Sequence, residues 1–582
     1  MTEFQHALKK ALDWLGKIEE VRVLDQAEKR CVGLTEKIDV WEVTTEITNK
    51  SSGIDTIRLH IIFTPDFPLS FPIVLLAKED YERYKHIPHV QADRLVCTFG
   101  NKIQPDPANP DKVVEEVIRR SKHIIEAGIK GDNNREEFLE EFVAYWNGEY
   151  SEKDVVLDSA LLVIEKPINK NVKLITLDKP YNKIHHIIHT EEDIGKRFIT
   201  FLDKKKIRYN EVDALFAGEI GILEPPFSIT NRKAFDLLHN RQIENNIDYR
   251  RFINSKVFPK LILFQKKLGG EVKYFGWFHK PVKVTRNGFR PGSLSNIQVM
   301  KTFHGEDLVT RINPEKYSPA RLTKRSEGFQ NSPKPGIYCL AGLGSIGSNL
   351  VHFLNYGPEL EFRFVDSDKL KVENLGRHLL GLNYLKWYKT KAIQDHLLNL
   401  NPIQKVTTKE VSIHTVLEKE PDYINDSDIL FVAIGEANIE TWIAKKLKEG
   451  AIKVPIFFLW VEPYLLGGHC LYVPPKCPNY DSYFDDNGLF KFNMIDADFQ
   501  GNPILSEKEA GCQSDFTPYG GNSIQLFLGA MFFKISEIMN GLPAQSRSFT
   551  WVGDKTMAEE LDIEISATGE DCNFGEVLSF EL

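Results

Sequence analysis

Three glycines and two cysteines are the residues of this chain whose type and spacing bear most directly on chemistry. "CLAGLGSIGSNLVHFL", Cys339 to Leu354, places Gly342, Gly344 and Gly347 as G-x-G-x-x-G between a strand-like and a helix-like run. Such a loop lets the backbone approach a phosphate at a helix N-terminus. It serves a dinucleotide and hydride transfer as well as ATP and adenylate formation. Asp366, nineteen residues after Gly347, fits a ribose hydroxyl in either case. The following residues decide between the two. "VDSDKLKVENLGRHLLG" brings Asp368, Asn374, Arg377 and His378, and Lys389 follows. A nicotinamide site has no evident need for an arginine and a lysine beside the second strand. A triphosphate losing pyrophosphate does, because its charge must be neutralised.

Cys512 lies in "GCQSDFTPYGG", a run of small and polar residues before the apolar helical stretch "SIQLFLGAMFFKI". A thiol near a helix N-terminus has its thiolate favoured and suits attack on an acyl adenylate. The alternative is a small buried apolar residue. Cys97 follows "IIFTPDFPLSFPIVLL" and "HIPHVQADRLV", behind Pro65, Pro68 and Pro72. Cys31, Cys339 and Cys572 show no partner pattern and read as ordinary packing residues.

The elements that must position these groups form three regions. Residues 1–150 open with a helix apolar at Phe4, Leu8, Leu12, Leu15 and Ile18. "KIDVWEVTTEI", "TIRLHIIFTP" and "FPIVLLAK" predict an antiparallel meander, and "PDKVVEEVIRRSKHIIEAG" and "NREEFLEEFVAYWNGE" predict two closing helices: an α+β domain. Residues 151–315 alternate strands with charged helical segments, carry no motif, and read as a mixed α/β linker or docking domain. Residues 316–582 alternate apolar strands and helices, which indicates a mostly parallel, doubly wound sheet.

Composition sets outer limits. Of 582 residues, 42% are apolar and 27% charged, which excludes a fibrous or disordered chain. A net charge of −9 spread over both signs points away from nucleic acid. Seven cysteines without a C-x-x-C pair argue for a reducing compartment. The absence of any long apolar run argues against a membrane span, and a cytoplasmic location is expected.

"GLGSIGSN", "VDSDKLKVENLGRH", Lys389 and "LNP" resemble the adenylation domain of ubiquitin-activating and ThiF/MoeB-type enzymes, which adenylate the C-terminal carboxylate of a small protein. The resemblance implies ATP and Mg²⁺, with Gly342, Gly344 and Gly347 at the phosphates and Asp366 at the ribose. Asp368 lies beside it, and Asn374, Arg377 and Lys389 contact the triphosphate. It implies a homodimer, Cys512 as acyl acceptor, and an upstream arginine for which Arg321 and Arg325 both qualify. Two departures stand out. Gly435 occupies the position of the family's magnesium-binding Asp, leaving the metal ligand unknown, and the paired C-x-x-C zinc motifs are absent. His469, Cys470 and Cys477 read as core residues rather than a partial zinc site.

The first domain resembles the ubiquitin-conjugating fold, with Phe67-Pro68 and Pro72 as its turn and Cys97 at the active cysteine. The family's His-Pro-Asn is replaced by His86, Ile87, Pro88 and His89. The oxyanion group is therefore unassigned, with His89 either a substitute or structural. Both resemblances in one chain are similar to the bacterial fused conjugating–activating enzymes of CBASS antiphage operons. That likeness implies a relay from a partner's C-terminus, expected to be that of a cGAS/DncV-like nucleotidyltransferase, through Cys512 and Cys97 to acceptor amines on proteins. Because the two sites lie on different domains, movement or dimerisation is implied. Three other readings stay open: a sulfur-carrier or cofactor-biosynthesis adenylating enzyme, a nicotinamide-dependent oxidoreductase, and a non-catalytic scaffold binding nucleotide and a ubiquitin-like protein.

Overall fold

In the first sheet, Val43, Thr45 and Ile47 alternate inwards on strand Asp39–Asn49, as do Ile57, Leu59, Ile61 and Phe63 on Gly53–Phe63. A computed structural model of the chain describes residues 2–31, 39–49, 53–100, 102–169, 172–220, 227–239, 246–282, 289–290, 293–324, 336–355, 360–508 and 515–582. The described residues divide into two compact units, Met1–Glu192 with Ile207–Tyr317, and Asp193–Lys206 with Ser318–Leu582.

The first unit begins with helix Glu3–Ile18, opened by a reciprocal Thr2–Gln5 capping box. Its Ala7, Ala11 and Leu15 pack with Val114, Val117 and Ile125 of helix Pro110–Lys130 against the sheet. Strands Glu20–Val23, Asp39–Asn49, Gly53–Phe63 and Ile73–Leu76 pair antiparallel in chain order, the expected meander. The single helix expected over "NREEFLEEFVAYWNGE" is two, Asn134–Glu140 and Phe142–Asn147, broken at Glu141. Their Phe138, Phe142, Tyr145 and Trp146 leave the first core and join Phe227, Phe275 and Trp277 in a second one.

That second core lies on a nine-stranded mixed sheet. Its order is Glu315–Tyr317, Ala160–Val163, Ile184–His189, Val172–Tyr181, Tyr209–Glu219, Lys260–Leu268, Glu271–His279, Thr310–Ile312, Val156–Leu157. Both faces are covered. Along Lys260–Leu268, Ile262 and Phe264 enter the aromatic cluster while Leu261 and Leu263 enter a mainly aliphatic one that also holds Tyr274 and Phe278. Fully buried Arg311 pairs with Asp154 at 2.8 Å and also donates to the carbonyls of Trp146 and Gly148.

The second unit is built on eight strands in the order Lys405–Lys409, Glu361–Val365, Ile337–Ala341, Ile429–Val432, Ile456–Val461, Gly467–Val473, Arg547–Val552, Val577–Phe580. The first five are parallel and the last three join antiparallel. Strand order reverses between Ile337–Ala341 and Ile429–Val432, the crevice where doubly wound sheets take ligands. Helix Asp193–Lys204, distant in sequence, belongs here. Arg197 donates to the Ile403 carbonyl, and Lys205 just beyond the helix pairs with Asp395 at 2.8 Å. Among the described residues no helix is long and apolar enough to cross a membrane.

Removing one partner of a buried ion pair strands the other in low dielectric. Arg311→Ala should therefore destabilise the first unit by about 3–5 kcal/mol. Urea denaturation of the intact chain, followed by tryptophan fluorescence, measures this; an unchanged transition would refute the role given to the pair.

Candidate functional site

The glycine loop is built by close approach. Gly342 has φ +86°, a left-handed conformation, and a β-carbon there would stand 2.5 Å from the Ala433 carbonyl oxygen. A β-carbon on Gly347 would lie 2.0 Å from the Gly342 oxygen, so the helix Ser345–Leu354 packs directly onto the turn. At Gly344, the N-cap, a β-carbon would meet nothing within 4 Å. The loop is therefore closed on its protein side and open in front of the helix N-terminus, whose first N–H groups have no side-chain cap.

Asp366 follows strand Glu361–Val365 and locks this turn. Its Oδ2 accepts from the Leu343 N–H at 2.7 Å and its Oδ1 from the Asp368 N–H at 2.7 Å. Burial raises its pKa, and the nearby Lys389 charge works against that rise. Lys389, buried at the start of helix Lys389–Leu400, meets the exposed Asp368 carboxylate at 2.9 Å. The structure thus gathers Gly342, Gly344, Gly347, Asp366, Asp368 and Lys389 at one loop. Asn374 caps a tight turn instead, accepting from the Lys371 N–H at 3.0 Å, two residues before the Gly376–Arg377 bend.

Arg377 borders a cavity of about 780 Å³ at the crevice, with Gly435, Glu440, Asp485 and Tyr519 among its walls. Its guanidinium lies 4.6 Å from the Tyr519 ring centroid and donates to the Thr517 carbonyl at 3.3 Å. Its backbone is fixed from both sides. Asn349 of the loop helix donates to the Arg377 carbonyl at 3.1 Å, and His378 donates from Nε2 to the Leu343 carbonyl at 2.9 Å. Nδ1 of His378 accepts from Leu380, and burial pushes its pKa down to about 4, so it is a neutral strut.

Gly435 has φ +78° and open space where a side chain would stand. Its N–H donates at 3.1 Å to Glu440 Oε1, on helix Ala437–Lys448. Glu440 is 6% exposed, and burial pushes its carboxyl up to about 7 against the favourable Gly435 bond. Sequence reading missed this carboxylate. The signal was there in "GEANIE", where a first-turn helix residue can reach back over the preceding loop. Tyr519 was missed as well, being brought to Arg377 only by the fold.

His469 is occupied on both nitrogens, by Thr550 Oγ1 at 3.0 Å and Glu462 at 2.9 Å; Cys470 is buried and Cys477 exposed. His469 and Cys470 are thus core residues, as expected, whereas Cys477 is at the surface and not in the core. Arg321 lies on the short helix Pro319–Thr323. Arg325 and Cys512 lie outside the described residues.

In the first unit, the segment before Cys97 is pinned to strand Ile73–Leu76. Leu76 N–H donates to the Arg94 carbonyl at 2.9 Å and Val96 N–H to that of Val74 at 2.9 Å. Cys97 N–H donates to the His89 carbonyl at 2.9 Å. The half-buried thiol accepts from Gln91 Nε2 at 3.0 Å, and burial raises its pKa, so it rests as a thiol. His89 Nδ1 lies 2.8 Å from Glu141 Oε1, and this bond raises the imidazole pKa despite burial.

Comparison with known proteins assigns the two ends of the chain. Residues 36–155 match the family model of prokaryotic E2 family B, and residues 326–500 that of the ThiF family. The chain carries an N-terminal E2-like domain and a C-terminal ThiF domain in a multidomain α/β architecture. No curated protein matches it. Among solved structures, selenomethionine PaaA is 14% identical, with TM-score 0.28, over 43% of this chain and 65% of PaaA. Escherichia coli MccB with ATP is 15% identical, with TM-score 0.27, over 42% of this chain and 66% of MccB. The microcin C7 biosynthetic enzyme MccB with N-formylated MccA is 16% identical, with TM-score 0.28, over 42% and 67%. The chain thus spans just under two thirds of the length of PaaA.

Glu440 yields a pH prediction. Its folded pKa is above the unfolded value, so its stabilising contribution is complete below about 4.5 and is lost as pH rises through about 7. Between pH 5.5 and 8 the wild type should lose roughly 2 kcal/mol more than Glu440→Gln in urea denaturation. Parallel losses in the two proteins would contradict it.

Proposed function

We propose that this protein is an ATP-dependent conjugating enzyme that activates the C-terminal carboxylate of a partner protein and transfers it, by way of two cysteine thioesters, to acceptor amines. The observation that carries this reading is the presence in one chain of an E2-like domain with Cys97 and a ThiF domain with an open glycine loop. Their chemistries are consecutive: one makes an activated acyl group and the other spends it on an amine.

ATP lies with its phosphates at Gly342, Gly344 and Gly347 and its ribose at Asp366. Lys389, now paired with Asp368, and Arg377 supply positive charge as pyrophosphate leaves. Asn374 shapes the bend that carries Arg377, and Arg321 or Arg325 completes the charge. The fold family implies Mg²⁺, and the residues here fit it: such an ion needs only one or two carboxylates beside phosphates and water, and Glu440 offers one in the cavity where Gly435 has none. When bound, the ion neutralises phosphate charge.

The partner carboxylate attacks the α-phosphate, giving an acyl adenylate and pyrophosphate. Cys512 displaces AMP to form a thioester. Cys97 takes the acyl group by thioester exchange, and an amine displaces Cys97 to leave an amide. Exchange between thioesters is nearly isoenergetic, so ATP drives the sequence at its first step. The partner of best fit is a cGAS/DncV-like nucleotidyltransferase in a cytoplasmic CBASS defence system, with the enzyme working as a homodimer through its ThiF domain.

A thioester trap tests the order. The full chain is incubated with Mg–ATP and a nucleotidyltransferase encoded beside it, then resolved on non-reducing gels. Cys97→Ala should accumulate a thiol-sensitive adduct on Cys512, whereas Cys512→Ala should form none at either cysteine. Lys389→Ala should lower ATP–pyrophosphate exchange by about 100-fold. An adduct indifferent to both cysteines rules out the relay. Exchange without any adduct favours sulfur-carrier chemistry, and nucleotide binding without exchange favours a scaffold.

A further inference from the structure

Beside Cys97 the chain builds a closed ring of hydrogen bonds that simple packing does not require. The His89 backbone N–H donates to the Tyr145 hydroxyl oxygen. That hydroxyl donates to Glu141 Oε2 at 3.0 Å. Glu141 Oε1 in turn accepts from His89 Nδ1 at 2.8 Å. One tyrosine and one carboxylate thus fix both the main chain and the ring of one histidine. His89 has φ +61°, a left-handed conformation that is unfavourable for a non-glycine residue and persists where its surroundings hold it.

The ring of bonds belongs to the thiol's neighbourhood. His89 and Cys97 are joined through the carbonyl of one and the N–H of the other. The Glu141 charge acts on the Cys97 thiol as it acts on His89. With Nδ1 committed to Glu141, Nε2 has among the described residues only the Glu137 carboxylate, at 3.8 Å, beyond hydrogen-bond reach. Two carboxylates favour the imidazolium, whose Nε2–H is a charged donor without a close acceptor among the described residues. Arg120 opposes them at longer range.

Glu137, Glu141 and Tyr145 fall within the residues matched to the E2 family but not on the sheet or the two long helices of the first core. They lie on Asn134–Glu140, Phe142–Asn147 and the break between them, the same short helices whose Phe138, Phe142 and Trp146 enter the aromatic core of the central sheet. Trp146 Nε1 donates to the Ile312 carbonyl at 3.0 Å, and Arg311 holds the carbonyls of Trp146 and Gly148.

We propose that His89 is a catalytic hydrogen-bond donor to the carbonyl oxygen of the acyl group on Cys97, with Glu141 and Tyr145, carried by short helices anchored on the central sheet, as its positioning residues. The inference rests on the reading that Cys97 carries a thioester. The amine nitrogen attacks the thioester carbon and a C–N bond forms. Negative charge gathers on the carbonyl oxygen, where His89 Nε2–H donates without giving up its proton. Collapse breaks the C–S bond, and the proton released by the amine goes to the departing Cys97 sulfur. His89 does the work of a carboxamide donor, with a charge added and therefore a pH dependence.

The experiment separates loading from transfer. The full chain carrying Cys512→Ala is charged at Cys97 by a short peptide mercaptoethanesulfonate thioester, without ATP. Loading is quantified by mass spectrometry of the Cys97 peptide, and discharge is then followed with free lysine. His89→Ala should load normally and discharge about 100-fold more slowly, with partial recovery in His89→Asn, which restores a neutral donor. The advantage of His89 over Ala should shrink as pH rises through the imidazole pKa, which lies above its ordinary value. Glu141→Gln should move that decline to lower pH, and Tyr145→Phe should slow discharge in the same direction. Equal discharge by loaded wild type and loaded His89→Ala overturns the proposal, as does a Glu141→Gln profile that does not move. Failure of the wild type to load at Cys97 overturns the thioester reading together with it.

Discussion

The Arg311–Asp154 pair holds together the unit that carries Cys97. Neither group could stay buried alone: a charge in an apolar interior must be paired and hydrogen-bonded or it neutralises. Arg311 meets this demand with one carboxylate and two main-chain carbonyls, all from the segment 146–154 that leaves the last short helix. The chain is thereby tied to the central sheet just where it passes out of the E2-like fold. Trp146 is held on the same strand end through Ile312, so the short helix bearing Tyr145, and Glu141 just before it, are anchored to the sheet.

The glycine loop of the second unit obeys the opposite constraint, absence of side chain rather than balance of charge. The turn can form because Gly342 and Gly347 have no β-carbon to meet a carbonyl. Asp366 then converts that fit into a fixed geometry by accepting from the backbone of the glycine turn and from that of its own following residues. His378 and Asn349 extend the same logic to Arg377, each spending a neutral side chain on a main-chain bond so that the cation faces the cavity already placed.

Much of this was legible in the residues. The meander, the parallel strands and the glycine loop follow from period-two alternation, apolar runs between turn residues, and positions that only glycine can fill. The placement of Asp366 and Lys389 beside the loop, and of Arg377 at the cavity, was legible because it follows from distance along the chain from that loop. The single helix read over residues 134–149 was not. Its period looked unbroken, but its apolar residues serve a different core from that of the preceding helix, and the chain breaks at Glu141.

By itself the sequence determined the two end folds, the glycine loop and the position of Cys97 behind its proline turn, since these depend on local pattern and short spacing. Only the tertiary structure decided that Glu440 accepts from the Gly435 N–H in the cavity wall, that Tyr519 faces Arg377, and that Glu141 and Tyr145 close on His89. Each of these pairs residues through packing rather than period: Arg377 and Tyr519 are 142 positions apart, and His89 and Tyr145 are 56. A chain shows which residues can bond; burial, which excludes water as the competing partner, decides which ones do.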